Sequence, residues 1–286
     1  MKIAVICTLF FSKQFHGISY QHEKNLLDIY IKCVEVLFKS GKKYFLPNHE
    51  VEFLLITNHD FIELNHLDYV KLIKVDYDIH NNWHGYLMKL LGIEFVPKEY
   101  DYIFSLDVDQ IFVNEVVDDD VLSHDFVVMK HWSNPTYSSI LSEVTNFIDI
   151  DFNGEEEFWV LGNFFGGKSK KMYELFEKSN KIHNDLFNKK IMEHCNFYSM
   201  YPEEMFVGKY VNENNVNYKY LTGSLGFDEG EEAKRSLFLG DFEHLWRKYV
   251  QNDNDETIFQ NITNVKLIHQ TKINMDAFKI FSKYYI

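Results

Sequence analysis

Two aspartates stand one residue apart at the end of an apolar run, in Ile103-Phe104-Ser105-Leu106-Asp107-Val108-Asp109-Gln110. Like charges this close repel one another, and the repulsion costs most where water is scarce. A hard divalent cation removes it. Mg²⁺ or Mn²⁺ prefers oxygen ligands and keeps positions open for substrate phosphates. The chemistry this spacing suggests is metal-assisted handling of a phosphorylated ligand. The apolar strand before the motif is what raises it above a surface triplet. Asp118-Asp119-Asp120 has no such strand and reads as a solvated turn. A second carboxylate pair, Glu203-Glu204, follows Tyr201-Pro202 at the expected start of a helix, where acidic residues also suit the helix dipole.

These carboxylates need a scaffold. Residues 2–9 read as a buried parallel strand ending near Thr8-Leu9-Phe10-Phe11. Leu26, Leu27, Ile29, Tyr30, Cys33, Val34, Leu37 and Phe38 recur at helical spacing, and Ser40-Gly41 is the expected helix exit. Val51 to Thr57 and Val70 to Val75 are apolar strands, and Tyr86 to Phe95 is a helix ended by Pro97. Tyr102 to Leu106 is the strand that delivers Asp107 and Asp109. This β-α-β-β-α-β order predicts an α/β fold with a mostly parallel, doubly wound sheet. Ligands of such sheets bind beyond the carboxyl ends of the strands, where Phe10, Phe11, Asp107 and Asp109 all fall. Farther on, Phe126 to Met129 is a short strand, and 133–157 is a polar candidate mobile loop. Glu157 to Phe165 resumes strand character, which Gly166-Gly167 is expected to break. Residues 169–187 and the segment after Pro202 are helices, and acidic loops follow residue 228. No repeat or linker divides the chain. A single catalytic domain over 1–286 is expected, with halves at 1–112 and 113–286.

Composition narrows the partners. With 286 residues the chain can bury roughly 75% of its unfolded surface. A formal charge of −14 disfavours nucleic acid and anionic membranes, though a bound dication reverses the sign locally. Cys7, Cys33 and Cys195 have no CxxC spacing and fit reduced thiols rather than a disulfide framework. Asn261-Ile262-Thr263 has the form of a glycosylation sequon, which matters only on secretion. The first strand begins at once, with no cleavable apolar leader, and no run approaches the roughly 20 apolar residues of a membrane span. A soluble cytoplasmic enzyme is the expectation.

Three readings of Asp107 and Asp109 compete. The first is nucleotide-sugar chemistry on a bound metal. The second is a haloacid-dehalogenase-type phosphatase with Asp107 as nucleophile. That class places its motif on an early strand and needs a later acidic pair and a lysine, whereas three strands precede the motif here. The third is a sugar-nucleotide or glycan-binding module without turnover.

Several segments, taken in order, resemble family 6 retaining glycosyltransferases, the group that contains the ABO blood-group transferases and the α-1,3-galactosyltransferase. They are Cys7-Thr8-Leu9-Phe10 to Phe15, Trp83 to Lys89, Tyr102 to Phe112, Met129 to Trp132, Phe158 to Gly167, and Pro202-Glu203-Glu204 to Lys209-Tyr210. The resemblance covers roughly 2–225. It implies the GT-A fold, UDP-Gal or UDP-GalNAc as donor, Mn²⁺ (or Mg²⁺), and an α-1,3 linkage onto a galactoside acceptor. Of the two halves, it implies that 1–112 is nucleotide-binding and that 113–286 is the acceptor and catalytic half. It also implies site roles: Phe10 and Phe15 flank the uracil, and Asp107 and Asp109 hold the metal, with Asp107 also near the ribose or sugar. Leu161 and Asn163 fall where the family distinguishes donor sugars. His131, with Trp132 and Glu203, falls on the acceptor side, and Glu204 is the carboxylate of the reaction. Two positions depart from the pattern. Leu90 stands where the family carries a donor-contacting arginine, with Lys89 one place earlier. The basic tail over the diphosphate has only Lys266, His269 and Lys272 as candidates.

Overall fold

The computed structural model describes residues 1–11, 20–60, 67–77, 82–130, 160–188, 202–214, 216–224, 238–239 and 267–269. The elements in chain order are β1 (Lys2–Leu9), α1 (Tyr20–Tyr44), β2 (Glu50–Thr57), β3 (Val70–Lys74), α2 (Asn82–Leu91) with a 3₁₀ turn (Gly92–Phe95), and β4 (Tyr102–Leu106). Next come β5 (Gln110–Phe112), α3 (Asp118–Val121), β6 (Phe126–Lys130), β7 (Val160–Lys168), α4 (Ser169–Asn188) and α5 (Pro202–Glu213). Three strands complete the set: β8 (Tyr218–Ser224), β9 (Phe238–Leu239) and β10 (Leu267–His269).

The strands join in the order β3-β2-β1-β4-β7-β6-β8-β9-β10-β5. The first seven form the main sheet, and all are parallel except β7, which runs antiparallel between β4 and β6. This is the mixed α/β, mostly parallel architecture expected of a GT-A-like fold. Strand β1 shows why its sequence carries no polar alternation. Ala4 and Ile6 face one core, whereas Ile3, Val5, Cys7 and Leu9 face the other. A central parallel strand covered on both faces must be apolar throughout. Residues of α2, α4 and α5 fill the first core, and Val34, Leu37 and Phe38 of α1 fill the second.

Two glycine readings are corrected. Helix α1 does not stop at Ser40-Gly41 but runs on to Tyr44, and Phe45 N–H still donates to the Gly41 carbonyl at 2.8 Å. Gly41 is there for space: a Cβ would lie 2.6 Å from the Phe53 ring. The left-handed residue of this turn is Leu46, at φ 48°. Gly166-Gly167 likewise does not break β7, which runs through to Lys168. A Cβ at Gly166 would lie 2.4 Å from the Ile103 carbonyl oxygen, and one at Gly167 would lie 2.2 Å from that of Asp125. Both glycines let backbones approach across the sheet. The Asp118-Asp119-Asp120 turn is a four-residue helix whose N-terminal Val117 N–H donates to Asp120 at 2.8 Å.

Among the described residues, no helix is long and apolar enough to cross a membrane.

Candidate active site

The carboxyl ends of β1, β2 and β4 make one rim. Cys7 of β1 stands in register with Leu55 of β2 and Leu106 of β4, so Asp107 leaves the sheet just past a buried thiol. Burial pushes that thiol's pKa well up; Asp107 and Asp109 add to the shift and Lys89 opposes it. Cys7 therefore stays protonated and serves as apolar floor. Asp109 is only 2% exposed.

Lys89, in the last turn of α2, reaches across this rim. Its Nζ lies 2.6 Å from Asp107 Oδ1 and 2.8 Å from Glu203 Oε1, and it donates to the Gly162 carbonyl at 3.3 Å. Burial works against its charge, but Asp107 and Glu203 outweigh burial and hold the ammonium protonated. Leu90 is fully buried in the core, so Lys89 is the basic residue that enters the site. Glu203 is 1% exposed and Glu204 8%, although both sit in the first turn of α5. They are not the solvated helix start that their dipole-friendly position alone would suggest. Burial raises the Glu203 pKa, and Lys89 offsets only part of that.

A bulge joins the two carboxylate pairs. Pairing with β6 jumps from Val128↔Phe165 to Met129↔Leu161, so that Gly162, Asn163 and Phe164 of β7 fall inside the jump. Val160 and Phe165, five residues apart, consequently face the same core, which an unbroken period of two forbids. The freed Gly162 N–H donates to Glu204 Oε1 at 3.0 Å, and the Asn163 carbonyl accepts from Asp107 N–H at 3.1 Å. Among the described residues, two buried acceptor atoms here have no donor: Asn163 Oδ1 and Glu203 Oε2. Leu161, beside them in sequence, is buried in the α1-side core.

The nucleotide-side residues are partly in view. Phe10 is half-buried and meets Tyr77 edge-on at 6.5 Å. Next to it, the Asn58 side chain accepts from Phe11 N–H at 2.9 Å and donates to the carbonyls of Phe11 at 2.7 Å and Tyr77 at 3.1 Å. Neither Asn58 nor Gly162 has a sequence-derived role. The only signal for Asn58 is a polar residue directly after the apolar Val51-to-Thr57 run. Strand β10 pairs antiparallel with β5, and His269 stands opposite Gln110, one residue from Asp109. Phe15, His131, Trp132, Lys266 and Lys272 lie outside the described residues.

The described residues contain no cluster of three or more His, Cys, Asp or Glu fit for a metal. Among the described residues, the carboxylates that the acidic motif could offer an ion are Asp107 and Asp109, with one Asp107 oxygen already on Lys89. One or two carboxylates completed by substrate phosphates is a usual way to bind Mg²⁺, so the residues fit such an ion.

No curated protein sequence matches the chain. The profile of glycosyltransferase family 6 matches residues 25–218, more than half of the chain. That span contains the acidic motif, Lys89, the β7 bulge and both glutamates. With it the phosphatase alternative for Asp107 falls away, and the chain belongs to glycosyltransferase family 6.

Proposed function

We propose that the protein is a retaining transferase that moves Gal or GalNAc from its UDP conjugate onto a galactoside in α-1,3 linkage. Lys89 and Glu204 both bond the Gly162 peptide, and Asp107 and Glu203 both bond the Lys89 ammonium; this linked set carries the reading. It joins the acidic motif of the nucleotide half to the glutamates of the other half. Asn163 Oδ1 and Glu203 Oε2, buried acceptors without a donor among the described residues, suit a ligand rich in hydroxyl groups. A hexose is such a ligand.

In this reading Asp107 and Asp109 hold Mn²⁺ or Mg²⁺, which would neutralise charge on the departing diphosphate. Lys89 fixes Asp107 and adds a permanent positive charge beside it. Phe10, with Phe15, takes the uracil, where ring stacking contributes roughly 1–3 kcal/mol. Asn163 shapes the donor-sugar subsite, with Leu161 buried beside it in the α1-side core, and His131 and Trp132 shape the acceptor side. Glu204, kept in place by the Gly162 N–H, is the carboxylate that stabilises positive charge developing at the anomeric carbon. Lys266 and Lys272 are the residues assigned to the diphosphate.

Calorimetric titration of UDP with and without Mn²⁺, on the wild type and Asp109→Asn, tests the nucleotide half of this reading. Binding is expected to need the metal and to disappear in the variant. UDP binding that ignores both changes would contradict it.

A further inference from the structure

We infer that Gly162 is a positioning residue for transfer: its bulged peptide ties the Lys89 ammonium to the Glu204 carboxylate, and its missing side chain lets Glu203 complete the tie. The inference rests on the reading of Glu204 given under Proposed function.

In a regular antiparallel strand, neighbouring strands consume the peptide's N–H and C=O. At Gly162 the bulge releases them from β6. The carbonyl takes Lys89 at 3.3 Å and the N–H goes to Glu204 at 3.0 Å. One residue thus touches both the cation that holds Asp107 and the carboxylate assigned to the reaction.

The site also leaves no room for a side chain at position 162. A Cβ on residue 162 would lie 2.5 Å from Glu203 Cγ and 2.8 Å from Glu203 Oε1. That Oε1 is the atom that Lys89 holds at 2.8 Å. Adding a methyl group therefore displaces the oxygen bonded to Lys89. Glu204 is the next residue of the same helical turn, so it moves as well. The glycine is needed for clearance and not for an unusual dihedral, since among the described glycines the positive φ belongs to Gly167.

A double-variant cycle of Gly162→Ala, Glu203→Ala and both together tests this. Gly162→Ala is expected to lower kcat roughly 10²-fold, as a displaced catalytic group does. UDP affinity should stay within about twofold of the wild type. Once Glu203 is truncated the methyl group has room, so adding Gly162→Ala to Glu203→Ala should change kcat by less than about twofold. An equal further loss in both backgrounds would overturn the inference. So would a loss that appears in UDP affinity rather than in kcat. If Gly162→Ala does not fold, the double variant should still fold, melting within about 2 °C of Glu203→Ala; a double variant that also fails refutes the clearance argument. A wild type without any sugar transfer removes the transfer reading alone. The same cycle on melting temperatures then decides the coupling, and additive losses would sink it.

Discussion

Strands β1, β2 and β4 pair residue for residue, Lys2↔Glu50 through Leu9↔Thr57 and Ile3↔Tyr102 through Cys7↔Leu106. Strand β7, next to β4 in the same sheet, skips three residues against β6 and has α5 packed against it. In the first region regular hydrogen bonding and apolar side chains make a stiff frame whose ends present Phe10, Asn58 and Asp107. In the second, irregular backbone provides the bonds that hold buried charges. The lesson is a division of labour. The frame needs no charged residue inside it, and the site tolerates buried Lys89, Glu203 and Glu204 because released peptide groups and opposite charges bind Lys89 Nζ, Glu203 Oε1 and Glu204 Oε1.

Substitutions in each region should then differ in kind. The largest effect is expected at Lys89. Replacing it with Met leaves Asp107 and nearly fully buried Glu203 without their cation, and removing one partner of a buried pair costs about 3 kcal/mol or more. Denaturant unfolding measures this, and Lys89→Arg should restore much of it. The exposed Lys74–Asp60 pair on the frame, at 2.6 Å, provides the contrast: Lys74→Ala should change stability by under about 0.5 kcal/mol. Equal losses at the two lysines would erase the distinction drawn here.

An intermediate effect is expected at Asn58. Asn58→Ala removes three hydrogen bonds that tie the end of β1 to the segment after β3, a loss of about 1–2 kcal/mol. Because Phe10 adjoins this clamp, UDP binding should weaken while kcat at saturation holds. A fall in kcat with unchanged UDP affinity would blur the two regions.

A smaller effect than at Asn58 is expected at the opposite edge of the frame. Tyr100 hydroxyl donates to Glu52 at 2.7 Å. This bond holds the Glu52 carboxyl below 4.5, its usual value, against opposing burial and with help from Lys2. A carboxyl lowered in the native state stabilises the fold above its ordinary pKa, and that stability is lost as pH falls through the lower native value. Tyr100→Phe should therefore cost about 1 kcal/mol at neutral pH, with the difference from wild type shrinking in acid below pH 4.5. A difference that grows in acid would have the wrong sign.

The frame was legible because its strands are unbroken apolar runs and its helices keep a helical period; those patterns report burial directly. The acidic motif was legible for the same reason, since a strand points at it. The glycines misled because Gly41, Gly166 and Gly167 serve close packing, which depends on a neighbour distant in sequence and leaves no local mark. The bulge in β7 was invisible for a related cause. Val160 to Phe165 reads as one strand, and only pairing with β6 shows where its facing changes. Lys89 against Leu90 was a register question that burial decides: Leu90 has the core and Lys89 has the carboxylates. Position alone favoured solvated Glu203 and Glu204. What buries them is α2 and β7, elements about 40 to 120 residues away in the chain.

Turnover assayed on wild type and Glu204→Gln tests the account most directly, by UDP release from UDP-Gal and UDP-GalNAc with Mn²⁺ and a galactoside. Wild type should release UDP in step with acceptor modification, and Glu204→Gln should lower kcat on the order of 10²–10³-fold with UDP affinity retained. Release of no UDP from either donor, or a variant as fast as wild type, would contradict it.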